Sequence, residues 1–359
     1  MACPTEYITV DTFDYLPDST NFTSAFGVAG WDYIDPGGGS ISLVSPGHNG
    51  IGKQIKMNFT TVTLQFQGLL SDFLGDACDK MAAGGFYFCE DAVTIGVSLI
   101  RFIYEDPITG VRTIQVSLDR HSNGKLLVSV GAFTSVSSFA IKENNVYFIE
   151  MYAKLDTIGI TGEVIVKVNN ETVISLTGIG TSPADLMNKV CFGGLKSASK
   201  FDRWDNIYTN INSSGLKGDI SQTYLRPSAN GALQQWTPNS GVNHFDRINE
   251  VAADSDTTYL HTETGFKEET NAHDNLPVGF TILTVQQVIF ARKATSAGAL
   301  FIEVGSRQGG INYWGVEDFI PQLDLYQFFY ETFTVNPATG LTWVLVDIDA
   351  AEFGFRSQS

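Results

Sequence analysis

The chain has 359 residues, 43% hydrophobic and 12% aromatic but only 17% charged, and a net charge of −17. That length suits one large or two ordinary domains, and the apolar content is enough to fill real cores. Residues 1–212 carry 14 basic and 22 acidic groups (−8) and the remainder 8 and 17 (−9), so neither half offers the basic face that nucleic acid or an anionic membrane surface requires.

Thirty-five glycines and plentiful Phe, Tyr, Val, Ile and Thr predict short strands joined by turns. The opening MACPTEYITVDTFDYL has neither a basic start nor an apolar centre, so no secretory signal is expected. No apolar run approaches about twenty residues, so no membrane insertion is expected.

KQIKMNFTTVTLQFQG alternates apolar and polar residues, as a half-buried strand does. The stretch 68–85 breaks the alternation. Leu69, Leu70, Phe73, Leu74, Cys78 and Met81 fall near helical spacing, which predicts a short helix or a partner-contacting loop. TIGVSLIRFIYED, a PITG turn, VRTIQVSLDR, an HSNG turn and KLLVSVGAF follow as strands and turns. NVYFIEMYAKLD, GEVIVKVNN and ETVISLTG continue the series, with Asn169 and Asn170 as turn residues because Asn tolerates positive φ. NKVCFGG and KFDRWDNIYTN close the first half. Regular strand spacing without helical intervals predicts an antiparallel sandwich over residues 1–211.

Residues 212–219 are small, polar and Gly-rich, and read as a linker. Residues 220–359 then resume with SQTYLRPSA, TTYLHTE, FTILTVQQVIFARKA, ALFIEVGSR, INYWGVED and DLYQFFYETFTV as strands of a second sandwich of jelly-roll type. LVDIDAAEFGFR predicts a one-turn helix capped by Asp347 before a last strand. The fold class expected is all-β, with two antiparallel sandwiches and few short helices. LRPSANGALQQWTPNSGVNHFDRINE reads as a long ordered loop with Trp236 packed beneath it.

The four cysteines, Cys3, Cys78, Cys89 and Cys191, lack metal-binding spacing and read as thiols, although Cys78 and Cys89 could meet across a turn. The Asn-X-Ser/Thr triplets at Asn21, Asn58, Asn170 and Asn212 read as chance. His244, His261 and His273 have no spacing that enforces convergence on a metal. Asp254 and Asp256 stand two apart as in calcium loops, but the central Gly and distal Glu of such a loop are missing, so an acidic turn is expected. Asp202 and Asp205 flank Trp204; the expected reading is core packing for Trp204 and Ile207, with Asp202 pairing with Arg203 or a turn amide.

Glycoside hydrolysis needs two carboxyls flanking the sugar, and NVYFIEMYAKLD supplies only Glu150 and Asp156. No GxSxG elbow, HExxH or P-loop occurs, and nothing positions Cys78 or Cys89 beside a base, so catalysis is not expected. Sugars stack on aromatic faces, which makes Trp31, Trp236, Trp314 and Trp343 candidates. In the 325–333 strand Tyr326, Phe328, Phe329 and Tyr330 lie so close that alternation buries only half of them, and the rest must meet a second layer or a partner subunit. The candidate glycan or partner contacts are therefore Trp236, Trp314, Tyr326 and Phe328. No catalytic, cofactor or metal residue is expected.

TFDYLPDSTNFTSAFGVAGW, the pair YFIEMYAK and GEVIVKVNN, and the closing FDRWDNIYTN resemble phage-encoded laminin-G or concanavalin-like domains. GDISQTYLRPSANGALQQWTPNSGVNHFDRINEVAADSDTTYL, VNPATGLTW and VDIDAAEFGF resemble a module that follows such domains in tailed-phage structural proteins. The chain departs from the first pattern where Trp204 stands in place of one of two adjacent acids beside Asp205, so no calcium ligand carries over. The resemblance implies a non-enzymatic virion protein assembled in the host cytoplasm, placed in the tail, fibre or baseplate, with other virion proteins, further copies of itself and host-surface glycan as partners. A capsid decoration or head-fibre protein, and a polysaccharide depolymerase, are the alternatives it leaves open.

Overall fold

The computed structural model describes residues 7–11, 31–34, 40–44, 54–58, 68–71, 77–89, 97–121, 123–156, 161–180, 186–193, 202–218, 220, 223–250, 256–279, 281–294, 300–320 and 326–358, without the side chains of the strands before position 72 or of Phe328. The chain separates into two compact units, with the change at Gln222 and Thr223.

The strands of the first unit are β1 (Tyr7–Asp11), β2 (Trp31–Ile34), β3 (Ser40–Val44), β4 (Gln54–Asn58), β5 (Gly68–Ser71), β6 (Lys80–Cys89), β7 (Val97–Glu105), β8 (Arg112–Arg120), β9 (Lys125–Val130), β10 (Phe133–Ala140), β11 (Val146–Lys154), β12 (Gly162–Val168), β13 (Glu171–Ile179), β14 (Lys189–Phe192) and β15 (Asp202–Ile211). One sheet has the order β13-β12-β11-β6-β15-β4-β3, with β1 also on β15, and the other β10-β9-β8-β7-β14-β5-β2. Alternation writes itself directly into β12, whose GEVIVKV buries every second residue. Asn169 and Asn170 both have positive φ in the turn to β13, as their composition predicts.

The two sheets meet through aromatic rings. Trp204 on β15 packs against Phe192 on β14 at 5.1 Å and Tyr87 on β6 at 5.0 Å, and its indole N–H donates to the Gly193 carbonyl. Gly84 on β6 lets β11 and β15 approach: a Cβ there would stand 2.7 Å from the Ile149 carbonyl and 2.8 Å from the Tyr208 ring.

The helix expected within 68–85 is not seen among the described residues of that stretch. Gly68–Ser71 is a strand, Cys78 bridges Met187, and β6 begins at Lys80, while Phe73 and Leu74 lie outside the described residues. Of the apolar residues at that spacing, Cys78 and Met81 are fully buried, Met81 within β6.

In the second unit the strands are β16 (Pro227–Gln234), β17 (Thr237–Pro238), β18 (Leu260–His261), β19 (Glu268–His273), β20 (Val285–Ala291), β21 (Phe301–Gln308), β22 (Ile311–Trp314), β23 (Asp318–Phe319), β24 (Gln327–Phe333) and β25 (Glu352–Gln358). A six-stranded antiparallel sheet runs β16-β19-β25-β21-β22 with β23 on β21, and β17-β18 and β20-β24 form two separate pairs. The inner face of the large sheet, through Ile302, Val304 and Phe355, packs on Phe329, Ile289 and Ala291 of the β20-β24 ribbon. A second cluster joins Phe333, Trp343 and Ile348.

The all-β fold expected from composition is the fold observed, with one short α-helix, α1 (Leu345–Ala350), among the described residues. Asp347 lies inside that helix and not at its cap. Val344 holds the cap position, and Asp347 accepts a hydrogen bond from Asn336 Nδ2. The expected SQTYLRPSA strand is displaced: β16 begins at Pro227 and extends to Gln234, into the stretch read as loop. At the expected linker, Ser213 is buried on the first unit and Gly218 N donates to Glu150 Oε1.

Candidate glycan-contact site

The aromatic strand is divided as alternation requires. Phe329 and Phe333 face the core and are buried, whereas Tyr330 on the opposite face is 37% exposed. Phe328 pairs with Phe290 in register; its side chain lies outside the described residues. One residue beyond the ladder, Tyr326 stacks on Phe290 with centroids 4.7 Å apart and planes 19° apart. The Arg292 guanidinium lies 5.1 Å from the Tyr326 ring centroid. Both groups converge on Asp256: the Tyr326 hydroxyl donates to Oδ1 at 2.7 Å and Arg292 Nη2 donates to the same oxygen at 2.7 Å.

Burial and the Asp256 hydrogen bond raise the Tyr326 pKa to about 12, so the phenol remains a donor at every physiological pH. The Asp256 side chain is 58% exposed. Carboxylate, guanidinium and phenol thus form one polar edge that meets solvent, backed by stacked rings. That edge places donors and acceptors side by side, the chemistry that hydrogen-bonds hydroxyl groups. Asp256 is accordingly a counter-ion for Arg292; its sequence neighbour Asp254 lies outside the described residues.

Two of the expected contact tryptophans are committed within the fold. Trp236 packs edge-on against Phe355 at 5.0 Å and donates its N–H to the Lys267 carbonyl, so it anchors the core. Trp314 donates to Glu268 Oε1, has Arg356 5.5 Å from its centroid, and lies over Gly305, where a Cβ would be 2.7 Å from its Cε3. Both remain partly exposed. Trp343 is buried, and the side chain of Trp31 lies outside the described residues.

The carboxylates singled out in the first half are also engaged. Glu150 is fully buried and accepts from the Tyr208 hydroxyl at 2.6 Å and Gly218 N at 2.8 Å. Asp156 accepts from the Thr161 backbone and hydroxyl. Asp202 pairs across the sandwich with Arg120 at 3.8 Å, both groups fully buried, and not with Arg203, whose guanidinium lies over Phe88. Asp205 accepts from Asn206 N at a register shift in β15.

His244 lies against the buried Glu269 at 3.0 Å, His261 packs near Tyr259, and His273 packs near Phe353. No group of three metal-ligating side chains forms among the described residues. Cys78 is disulfide-bonded, contrary to the expectation of four thiols, and its partner is not Cys89, which is a buried thiol contacted by Arg120 Nη1.

Glu331 and Asp318 have no signature in the sequence. Burial pushes both carboxyls above their ordinary range, and Asp318 adds to the effect at Glu331. Gly315 makes room for Glu331: a Cβ there would be 2.1 Å from Oε2. Arg292 and Phe290 were likewise missed; the signal was a cation one residue past an otherwise uncharged strand, VQQVIFA.

No family model matches the chain, and no curated protein matches it. Among solved structures it is similar to the endo-β-1,4-glucuronan lyase of the fungus Trichoderma reesei, at 12% identity and a TM-score of 0.39, over 54% of this chain and 93% of that one. It is similar to the cellulose-induced protein Cip1 at 14% identity and a TM-score of 0.39, over 56% and 99%. It is similar to a carbohydrate esterase from the Shiga toxin-encoding bacteriophage phi24B at 15% identity and a TM-score of 0.37, over 57% and 100%. At these values the likenesses carry no functional argument. What the fold itself defines is an all-β protein built of antiparallel sheets.

Proposed function

We propose that this chain is a non-enzymatic structural protein on the exterior of a tailed-phage virion, and that its second unit contacts host-surface glycan through Asp256, Arg292 and Tyr326. The observation that carries the glycan reading is the solvent-facing polar edge, in which a half-exposed carboxylate accepts hydrogen bonds from a guanidinium and a phenol on one oxygen. The virion reading rests on the motifs of residues 218–260 and the paired strands of the first half. The engagement of Glu150, Asp156, Asp202 and Asp205 in internal bonds supports a role without catalysis.

The test is binding of the purified chain to lipopolysaccharide and capsule extracted from the host strain. Binding is expected, together with its loss in Asp256→Ala and Arg292→Ala variants of unchanged thermal stability. Binding that survives both substitutions removes this site from the account. New reducing ends on incubation with the polysaccharide contradict the non-enzymatic reading and favour a depolymerase. A copy number near that of the capsid subunit, measured by quantitative mass spectrometry of virions, favours capsid decoration over a tail position.

A further inference from the structure

The polar edge at Asp256 is assembled from two separate pieces of sheet. Arg292 and Tyr326 flank the last pair of the β20-β24 ladder, Ala291 with Gln327, and the stacking of Tyr326 on Phe290 holds that side in place. Asp256 comes from elsewhere. It lies four residues before β18, whose sheet among the described residues is the short pair with β17. A ladder of two residues does little to fix the chain leading into it. The Asp256 side chain is 58% exposed, so packing does not fix it either. The backbone beside Asp256 is gripped chiefly by Asn239, one residue past β17. Asn239 N donates to the Tyr259 carbonyl at 3.0 Å, Nδ2 donates to the Thr257 carbonyl at 2.9 Å, and Oδ1 accepts from Tyr259 N at 3.3 Å. A side-chain amide can do this because it carries a donor and an acceptor on one planar group. The Thr258 hydroxyl adds a bond to Glu250 Oε1. Asn239 is itself supported by its own loop: His244 N and Phe245 N donate to Asn230 Oδ1, the His244 ring meets the buried Glu269, and Arg247 Nη1 donates to Ser240 Oγ.

We propose that Asn239 is a positioning residue for the Asp256 edge: it fixes the backbone that carries Asp256, and so sets the carboxylate where Arg292 and Tyr326 share one of its oxygens. Both of those bonds are 2.7 Å long, and a displacement of about 1 Å takes them out of hydrogen-bond range. The edge therefore depends on a side chain that belongs to neither of the elements contributing its polar groups. The predicted effect on glycan binding rests on the reading of this edge as a glycan contact; the effect on the edge itself needs no ligand.

Asn239→Ala, Asp256→Ala and the double variant, made in the full chain, test the proposal by two measurements. In the first, without ligand, Tyr326 ionisation is followed at alkaline pH by NMR of 13C-labelled tyrosine. Asp256 raises the Tyr326 pKa both as hydrogen-bond acceptor and as a charge, so losing or displacing it leaves more of the phenol ionised at a given pH. Asn239→Ala is expected to shift Tyr326 in the same direction as Asp256→Ala and by less. The double variant is expected to match Asp256→Ala, because Asn239 acts through that carboxylate. An unmoved Tyr326 in Asn239→Ala overturns the proposal, as does a double variant shifted beyond Asp256→Ala, which marks a general loosening of the unit. In the second measurement, binding to extracted host lipopolysaccharide is expected to weaken about tenfold in Asn239→Ala, the worth of roughly one net hydrogen bond, and no further in the double variant than in Asp256→Ala. Binding lost in Asp256→Ala but untouched in Asn239→Ala also overturns the proposal. Binding that survives Asp256→Ala removes the glycan reading instead, and the ligand-free titration then decides the role of Asn239 by itself.

Discussion

Gly84 and Glu331 show how single residues set limits on this fold. At Gly84 the neighbouring atoms are a backbone carbonyl and two buried side chains, so nothing nearby can yield to a Cβ. Gly84→Ala is therefore expected to lower stability by roughly 1–3 kcal/mol, the usual range for overpacking a close-packed core, as read from denaturant unfolding. Glu331 works in the opposite direction. Its pKa is raised by burial, so the folded state holds the proton more tightly than the unfolded chain does. Ionised Glu331 thus costs stability above its folded pKa, and the cost vanishes as pH falls below the ordinary carboxylate value. Glu331→Gln keeps an acceptor for Val316 N and removes the charge. The variant is expected to melt above the wild type at pH 7, with the gap closing toward pH 4; a gap that widens on acidification would contradict this account.

At the scale of elements, the sequence was legible wherever buried positions are apolar. β12 and the Asn169–Asn170 turn follow from alternation and turn chemistry alone. The central strand β19, Glu268–His273, was not legible, because the residues it buries are Glu269, Thr270 and Asn271. Their partners come from far along the chain: Glu269 takes His244, and Thr270 donates to Glu352 Oε2. The loop after β16 was read as ordered around Trp236, and its lock proves to be polar. His244 N and Phe245 N donate to Asn230 Oδ1, while the His244 ring meets Glu269. His244→Ala is expected to leave a buried carboxylate short of a partner, at a cost of roughly 1–3 kcal/mol. Amide hydrogen exchange over residues 237–247 should accelerate more than exchange in β21; uniform acceleration would mean that His244 does not lock the loop.

At the scale of the molecule, the fold class was readable from composition, because many β-branched and aromatic residues at low charge leave few alternatives. The polar edge was readable only in part: Tyr326 stood out, whereas Asp256 and Arg292 lie 36 residues apart and are joined only by tertiary structure. The disulfide at Cys78 was hidden for the same reason, and such bonds persist in oxidising surroundings. In denatured, unreduced protein, Cys89 and Cys191 are expected to be alkylated and Cys78 to react only after reduction, as read by peptide mass spectrometry; alkylation of Cys78 without reductant would contradict the cross-link. The central claim is that the chain is an exterior virion protein. Cryo-EM of the intact phage that encodes it is expected to place both β units in density on the outer surface of the particle, and their absence from the virion, or their location inside the capsid, would contradict the account.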